Sequence, residues 1–119
     1  MKVNITMKDL VKVSRALALF TGLYYKSTIN HARAFFEIAA LNDKVIYTKD
    51  LPELLDMTQT TVNRTIRQMA DRNYIHDVGW GVLKIHIDGE DERQRIVELT
   101  PKGKKLALQM MEMIYGEST

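Results

Sequence analysis

Cysteine is missing from this chain, which rules out a disulfide framework, a thiolate nucleophile, a thiol redox sensor and a Cys-ligated zinc. Proline is scarce. Pro52 and Pro101 both stand near apparent helix starts, and no linker, internal repeat or low-complexity tract accompanies them. Neither sign of charge dominates. A formal net charge of +2 permits a polyanionic partner without demanding one, so the placement of charge has to decide. A long apolar run is also lacking. Lys8, Lys12 and Arg15 followed by ALALFTGLYY imitate a signal peptide, but there is no small-residue cleavage site and polar residues recur. The expectation is an amphipathic helix in a cytoplasmic protein without membrane contact. His31, His76 and His86 lack ligand-like spacing, and Gly79-Trp80-Gly81 lacks the strand-to-helix setting of a phosphate loop. No metal or cofactor is expected. No nucleophile–base pair or catalytic carboxylate pair supports an enzyme.

What is present, 119 residues with 45% apolar and 27% charged side chains, reads as one domain spanning residues 1–119. From about Thr6 to Tyr25, Leu10, Val13, Leu17, Phe20 and Tyr24 recur at helical spacing, and Val11, Ala16, Leu19 and Leu23 widen the stripe beyond what one neighbour needs. A second helix is expected from about Asn30 to Leu41, with Ala32, Phe35, Phe36, Ala39 and Ala40 on its apolar face. After a short Val45-Ile46-Tyr47 strand, a compact helix covers Leu51 to Leu55, with Thr48 or Asp50 as its cap; Asp50 and Glu53 make a box-like start. A longer helix follows over about residues 59–72, capped by Thr58 and burying Val62, Ile66 and Met69. Leu83, Ile85 and Ile87 then alternate with Lys84 and His86, Asp88-Gly89 is a turn dipeptide, and Ile96, Val97 and Leu99 suit a returning strand. Thr100 and Pro101 start a last helix as N-cap and first helical residue, over residues 101–116. The fold class is mainly α with a small β-hairpin, an α+β domain.

The segment TKDLPELLDMTQTTVNRTIRQM has the layout of a helix-turn-helix. Because Val62 and Ile66 must face inward, Thr60, Asn63, Arg64 and Arg67 project outward. That face is small and polar at its N-terminal end and cationic further along, a composition suited to base edges and phosphates in a major groove. The free amides at the helix start, around Thr58, Gln59 and Thr61, favour a phosphate as well. The bland alternative is an ordinary solvated helix face. A hairpin directly after such a unit makes a winged helix, and an arginine beside its tip can enter a narrow minor groove. The tip is charged with both signs: Asp88, Glu90, Asp91 and Glu92 stand among Lys84, Arg93 and Arg95.

Asp91-x-Arg93 followed by Leu99-Thr100-x-x-Gly103 resembles the wing and following helix of MarR-type transcriptional regulators, and Leu51 through Arg64 resembles their helix-turn-helix. The resemblance covers close to half of the chain. It implies a dimeric winged-helix protein that binds double-stranded DNA, with Thr60, Asn63, Arg64 and Arg67 on the recognition helix and Arg93 as the wing arginine. Three departures stand out: Pro52 in place of a small helix former, Asp56 where Gly is common in the turn, and a longer HDVGWGVLKIHI segment, as in small regulators of phages and mobile elements.

Leu10, Val13, Leu17, Phe20 and Tyr24 of the first helix, with Leu106, Met110, Met113 and Ile114 of the last, are the expected homodimer interface, which would set two recognition helices on an inverted repeat. The alternative is that the first helix only completes the monomer's core. Tyr24, Tyr25, Phe35 and Phe36 fit core packing better than an effector pocket, which the resemblance permits. The leading expectation is therefore a dimeric repressor acting by operator occupancy. Its rival is a winged-helix module for protein–protein assembly without specific DNA binding.

Overall fold

The computed structural model describes residues 6–24, 26–41, 43–70 and 80–116. In chain order the elements are α1 (Asp9–Leu23), α2 (Ile29–Ala40), β1 (Ile46–Tyr47), a 3-10 turn (Thr48–Asp50), α3 (Leu51–Leu55), α4 (Gln59–Met69), β2 (Leu83–Ile87), β3 (Arg95–Leu99) and α5 (Pro101–Tyr115). The strands form one antiparallel sheet in the order β1-β3-β2, with Ile46 opposite Val97 and Leu83 opposite Leu99. The α+β winged-helix class expected from the sequence is the one observed.

The core is assembled from the inner faces of the five α-helices and of the sheet. Ala16 and Phe20 of α1 meet Ala32, Phe35 and Ile38 of α2, Leu51 and Leu55 of α3, Val62, Ile66 and Met69 of α4, Val97 and Leu99 of β3, and Leu106 and Met110 of α5. Each fully buried large side chain contributes about 1.5–3 kcal/mol relative to exposure. The α1 stripe divides accordingly. Its inner edge folds back along α5 of the same chain, while Leu10 and Val11 stay exposed.

Three local expectations change. Asp50 does not cap α3, because its backbone is already helical (φ −89°, ψ −12°) and its carboxylate makes no cap bond; an N-cap needs extended backbone. The helix expected over residues 59–72 ends at Met69. The returning chain is the cause: Trp80, Gly81 and Val82 donate their amides to the carbonyls of Gln68, Ala70 and Met69 at 3.0–3.1 Å, and Ala70 becomes extended and bridges Leu83. Residues 71 and 72 lie outside the described residues, as do Tyr25, His76 and Gly79. Finally, Asp88-Gly89 is not a complete turn. Ile87 pairs with Arg95, so the hairpin connection spans residues 88–94.

Candidate nucleic-acid interface

Helix α4 is held at both ends, so its polar face is presented rigidly. At the start, Thr58 is extended and its hydroxyl accepts the Thr61 amide at 3.2 Å. Just before it, Asp56 takes the left-handed conformation (φ 55°) that the tight turn requires, a region short polar residues tolerate best after glycine. Pro52 falls in the first turn of α3, where its missing amide costs no intrahelical bond. Both departures from the MarR-like pattern are thereby accommodated.

Thr58, Gln59, Thr60 and Arg64 are exposed, Thr61, Asn63 and Arg67 half-buried, and Val62, Thr65, Ile66 and Met69 turn inward. The residues expected on the outer face thus share it. Gln59 donates to Asn63 Oδ1 at 2.8 Å and to the Thr48 carbonyl at 3.5 Å. This pre-orders two side chains able to pair with a base edge.

The wing is built by two carboxylates that fold the connection back on itself. Asp88 Oδ1 accepts the Glu90 amide at 3.0 Å, and Asp91 Oδ1 accepts the Arg93 amide at 3.0 Å. Asp91 also pairs with Arg93 Nε at 3.3 Å, while the arginine side chain remains 91% exposed. The arginine is aimed yet reachable. From β1, the Tyr47 hydroxyl donates to Asp88 Oδ2 at 3.2 Å, and the Asp88 charge, foremost, holds the phenol above its ordinary pKa. The tip is therefore tied to the body of the domain.

Not every expected cation is brought together. The strand register puts Lys84 directly opposite Glu98, on the hairpin face that also carries His86; the side chain of Arg95 belongs to the other face, since successive side chains alternate. His86 Nε2 lies 3.1 Å from Glu98 Oε2. Lys84 and Arg95 therefore belong to opposite faces of the hairpin. At the wing root, Thr100 donates to the Gly81 carbonyl at 2.6 Å and accepts the Gly103 amide at 3.0 Å, locking the wing to α5.

The expected interface residues separate into two groups. Phe20, Leu106 and Met110 are buried in the chain's own core, so they hold the monomer together and have no surface left for a partner. Tyr24 is half-buried and stacks on Trp80 (centroids 4.5 Å, interplanar 7°). Val13, Leu17 and Ile114 are half-buried, and Leu10 and Met113 are exposed. Phe35 and Phe36 sit beside a groove of about 480 Å³ between α2 and α5, which Tyr24 does not line. His31, which lacks ligand-like spacing in the sequence, and Gln68, which sequence reasoning passed over, are joined by the fold at 2.6 Å. The signal available was weak: Gln68 follows Arg64 by one helical turn, and a contact thirty-seven positions apart has no local signature. Among the described residues no three His, Cys, Asp or Glu side chains gather as a metal site, and no helix is long and apolar enough to cross a membrane.

No family model and no curated protein matches this sequence. Solved structures do match its fold. MepR, a transcription regulator of the Staphylococcus aureus multidrug efflux pump MepA, superposes with a TM-score of 0.66 at 15% identity, over 93% of this chain and 78% of that one. The S. aureus MepR–DNA complex gives a TM-score of 0.68 at 18% identity over 91% and 77% of the two chains. Reduced AbfR bound to DNA gives 0.61 at 19% identity over 91% and 71%. At these identities the likeness is one of architecture: the chain has the winged helix-turn-helix fold of the MarR-type transcription regulators.

Proposed function

We propose that this chain is a transcription regulator that binds double-stranded DNA sequence-specifically as a homodimer, with α4 in the major groove and the wing at the adjacent minor groove. The observation that carries the reading is the capped, exposed start of α4. Thr58, Gln59, Thr60, Asn63 and Arg64 surround a helix N-terminus whose dipole favours phosphate, with no acidic residue in its first turn. An exposed arginine at the tip of a hairpin tethered to β1 adds the second contact. Proteins of the same fold have been solved on DNA, which supports this assignment. The chain's action on transcription would be repression by occupying an operator.

A selection from genomic fragments followed by footprinting tests the reading. The expected footprint is an inverted repeat with half-sites about one helical turn apart. Binding should weaken steeply with salt, since each neutralised phosphate releases counterions. Salt-independent capture of a protein, with no DNA recovered, would instead establish the assembly-module reading.

A further inference from the structure

Among the described residues, His31 is the buried ionisable side chain, 6% exposed, and the DNA contacts proposed above leave it unused. It sits in the first turn of α2, where Nδ1 accepts the Thr28 amide at 3.0 Å and closes a capping box with the Thr28 hydroxyl. Nδ1 is therefore the unprotonated nitrogen, and Nε2 donates to Gln68 Oε1 at 2.6 Å. Gln68 belongs to α4, one turn beyond Arg64. The contact is part of a closed ring. Trp80 donates its amide to the Gln68 carbonyl at 3.1 Å, and its indole lies 4.6 Å from the imidazole and stacks on Tyr24.

We propose that His31 is a positioning residue for the DNA-reading helix: its neutral ring holds the C-terminal half of α4 against the capped start of α2, and protonation, unfavourable in this buried site, drives the ring out of it. The proposal rests on the reading of α4 as the helix that contacts DNA. A second proton can go only to Nδ1, where it would oppose the Thr28 amide, so that bond is lost and Thr28 Oγ1, 2.9 Å away, is the acceptor that remains. The resulting cation would stand at a helix N-terminus, against the helix dipole. Two neighbours offset this in part, Gln68 Oε1 through Nε2 and Thr28 Oγ1 at 2.9 Å from Nδ1, but burial and Arg64 outweigh them. Arg64 acts on the cation from α4 as a like charge, the Trp80 ring, on which Tyr24 stacks, lies beside it at the wing root, and from α5 Lys102 places its ammonium 2.9 Å from the Trp80 carbonyl.

Burial, opposed by the Gln68 bond and reinforced by Arg64, keeps the imidazole below its ordinary pKa of 6.5. A base with a depressed folded-state pKa contributes stability that is fully present above the unfolded value and lost as pH falls below it. The hold is thus complete at neutral pH and weakens in mild acid.

The test compares wild type with His31→Gln, because glutamine at this position can still close the capping box but does not titrate and gives up the reach to Gln68. At fixed ionic strength, wild-type operator affinity should fall about two- to tenfold between roughly pH 7.5 and 5.5, the size of one hydrogen bond's net contribution. His31→Gln should start lower by a similar factor and show a flatter profile, and adding Gln68→Ala to it should cost nothing more. His86, beside Glu98 on the wing, is common to both proteins, so its contribution cancels in the comparison. The single tryptophan supplies a readout without DNA: Trp80 emission should follow a titration with a midpoint below 6.5 that His31→Gln abolishes. A Trp80 signal that does not titrate, or a pH slope of affinity that survives in His31→Gln, overturns the proposal. Failure to recover any DNA overturns the function reading instead, and the Trp80 titration still judges the latch.

Discussion

Gly103 explains why the last helix opens with Leu-Thr-Pro-Lys-Gly. A Cβ at this position would collide with the Val82 carbonyl and stand 3.4 Å from Leu99 Cδ2, so only glycine lets α5 lie against the wing root. Gly103→Ala should destabilise the domain by about 1–3 kcal/mol, the range for forced overpacking, in equilibrium denaturation. Gly22→Ala is the internal comparison: open space surrounds that position, and near the end of α1 the change should be neutral or mildly stabilising. Equal loss in both would show that backbone approach is not what selects Gly103. The residues proposed to contact DNA obey a different logic, since they can be truncated without opening the core. Arg64→Ala should leave the circular dichroism spectrum and melting curve unchanged while costing about 1–3 kcal/mol in operator affinity. Arg93→Ala should weaken binding most on sites with A·T-rich flanks, where the minor groove is narrow. Undiminished affinity in a folded Arg64→Ala protein would remove that residue from the reading surface.

At the scale of elements, the wing and α5 form one unit, because Thr100 is shared between them. Its hydroxyl caps α5 and donates to Gly81, and its amide donates to Val82. Thr100→Val keeps the shape and removes both hydroxyl bonds, so a loss of about 2 kcal/mol is expected, a cap plus a carbonyl left without its partner. Hydrogen exchange should show the strands of the wing loosening together with the first turn of α5; loosening of α5 alone would argue against their coupling. Features with this local chemistry were legible in the sequence. Thr58 and Thr100 as caps, Pro101 at a helix start, and an aspartate able to take the left-handed turn at Asp56 all depend on residues within a few positions of each other. Features that depend on distant partners were not. Helix α4 stops at Met69 because residues 80–82 come back to its carbonyls, and a 3.6-residue period cannot register that. Asp50 had the composition of a cap, but the 3-10 turn ahead of α3 had already given it helical backbone angles. The wing face of each cation became clear only with the strand register, which separated Lys84 from Arg95. His31 looked like an isolated histidine because its partners arrive from α4 and from the segment before β2.

The whole molecule leaves its apolar surface unevenly distributed, and that distribution bears on dimerisation. Met7, Leu10 and Val11 are exposed at the start of α1, and Leu108, Met111, Met113 and Tyr115 along α5. These two helices pack on each other within the chain, and the groove beside Phe36 shares Leu108, Met111 and Tyr115 with the exposed set. Single exposed apolar residues need no explanation, but a run of them on paired helices is what a partner surface looks like. A second copy is the occupant that fits the proposed function, because a two-fold pairing here would place two α4 helices on one side of a duplex. The monomer's packing decides how this should be tested. Deleting residues 1–25 would strip Ala16 and Phe20 from the core, and the resulting aggregation would say nothing about assembly. Point charges on the exposed side are cleaner. Leu10→Glu combined with Met111→Glu should keep the fold and shift sedimentation at micromolar concentration from dimer to monomer. Affinity for an inverted repeat should then collapse toward that of a single half-site, since linked binding of two modules is lost. Salt dependence should drop alongside it as half of the phosphate contacts disappear. A wild-type chain that sediments as a clean monomer and protects one non-palindromic site would leave α1 and α5 with the smaller role of completing a monomer's core.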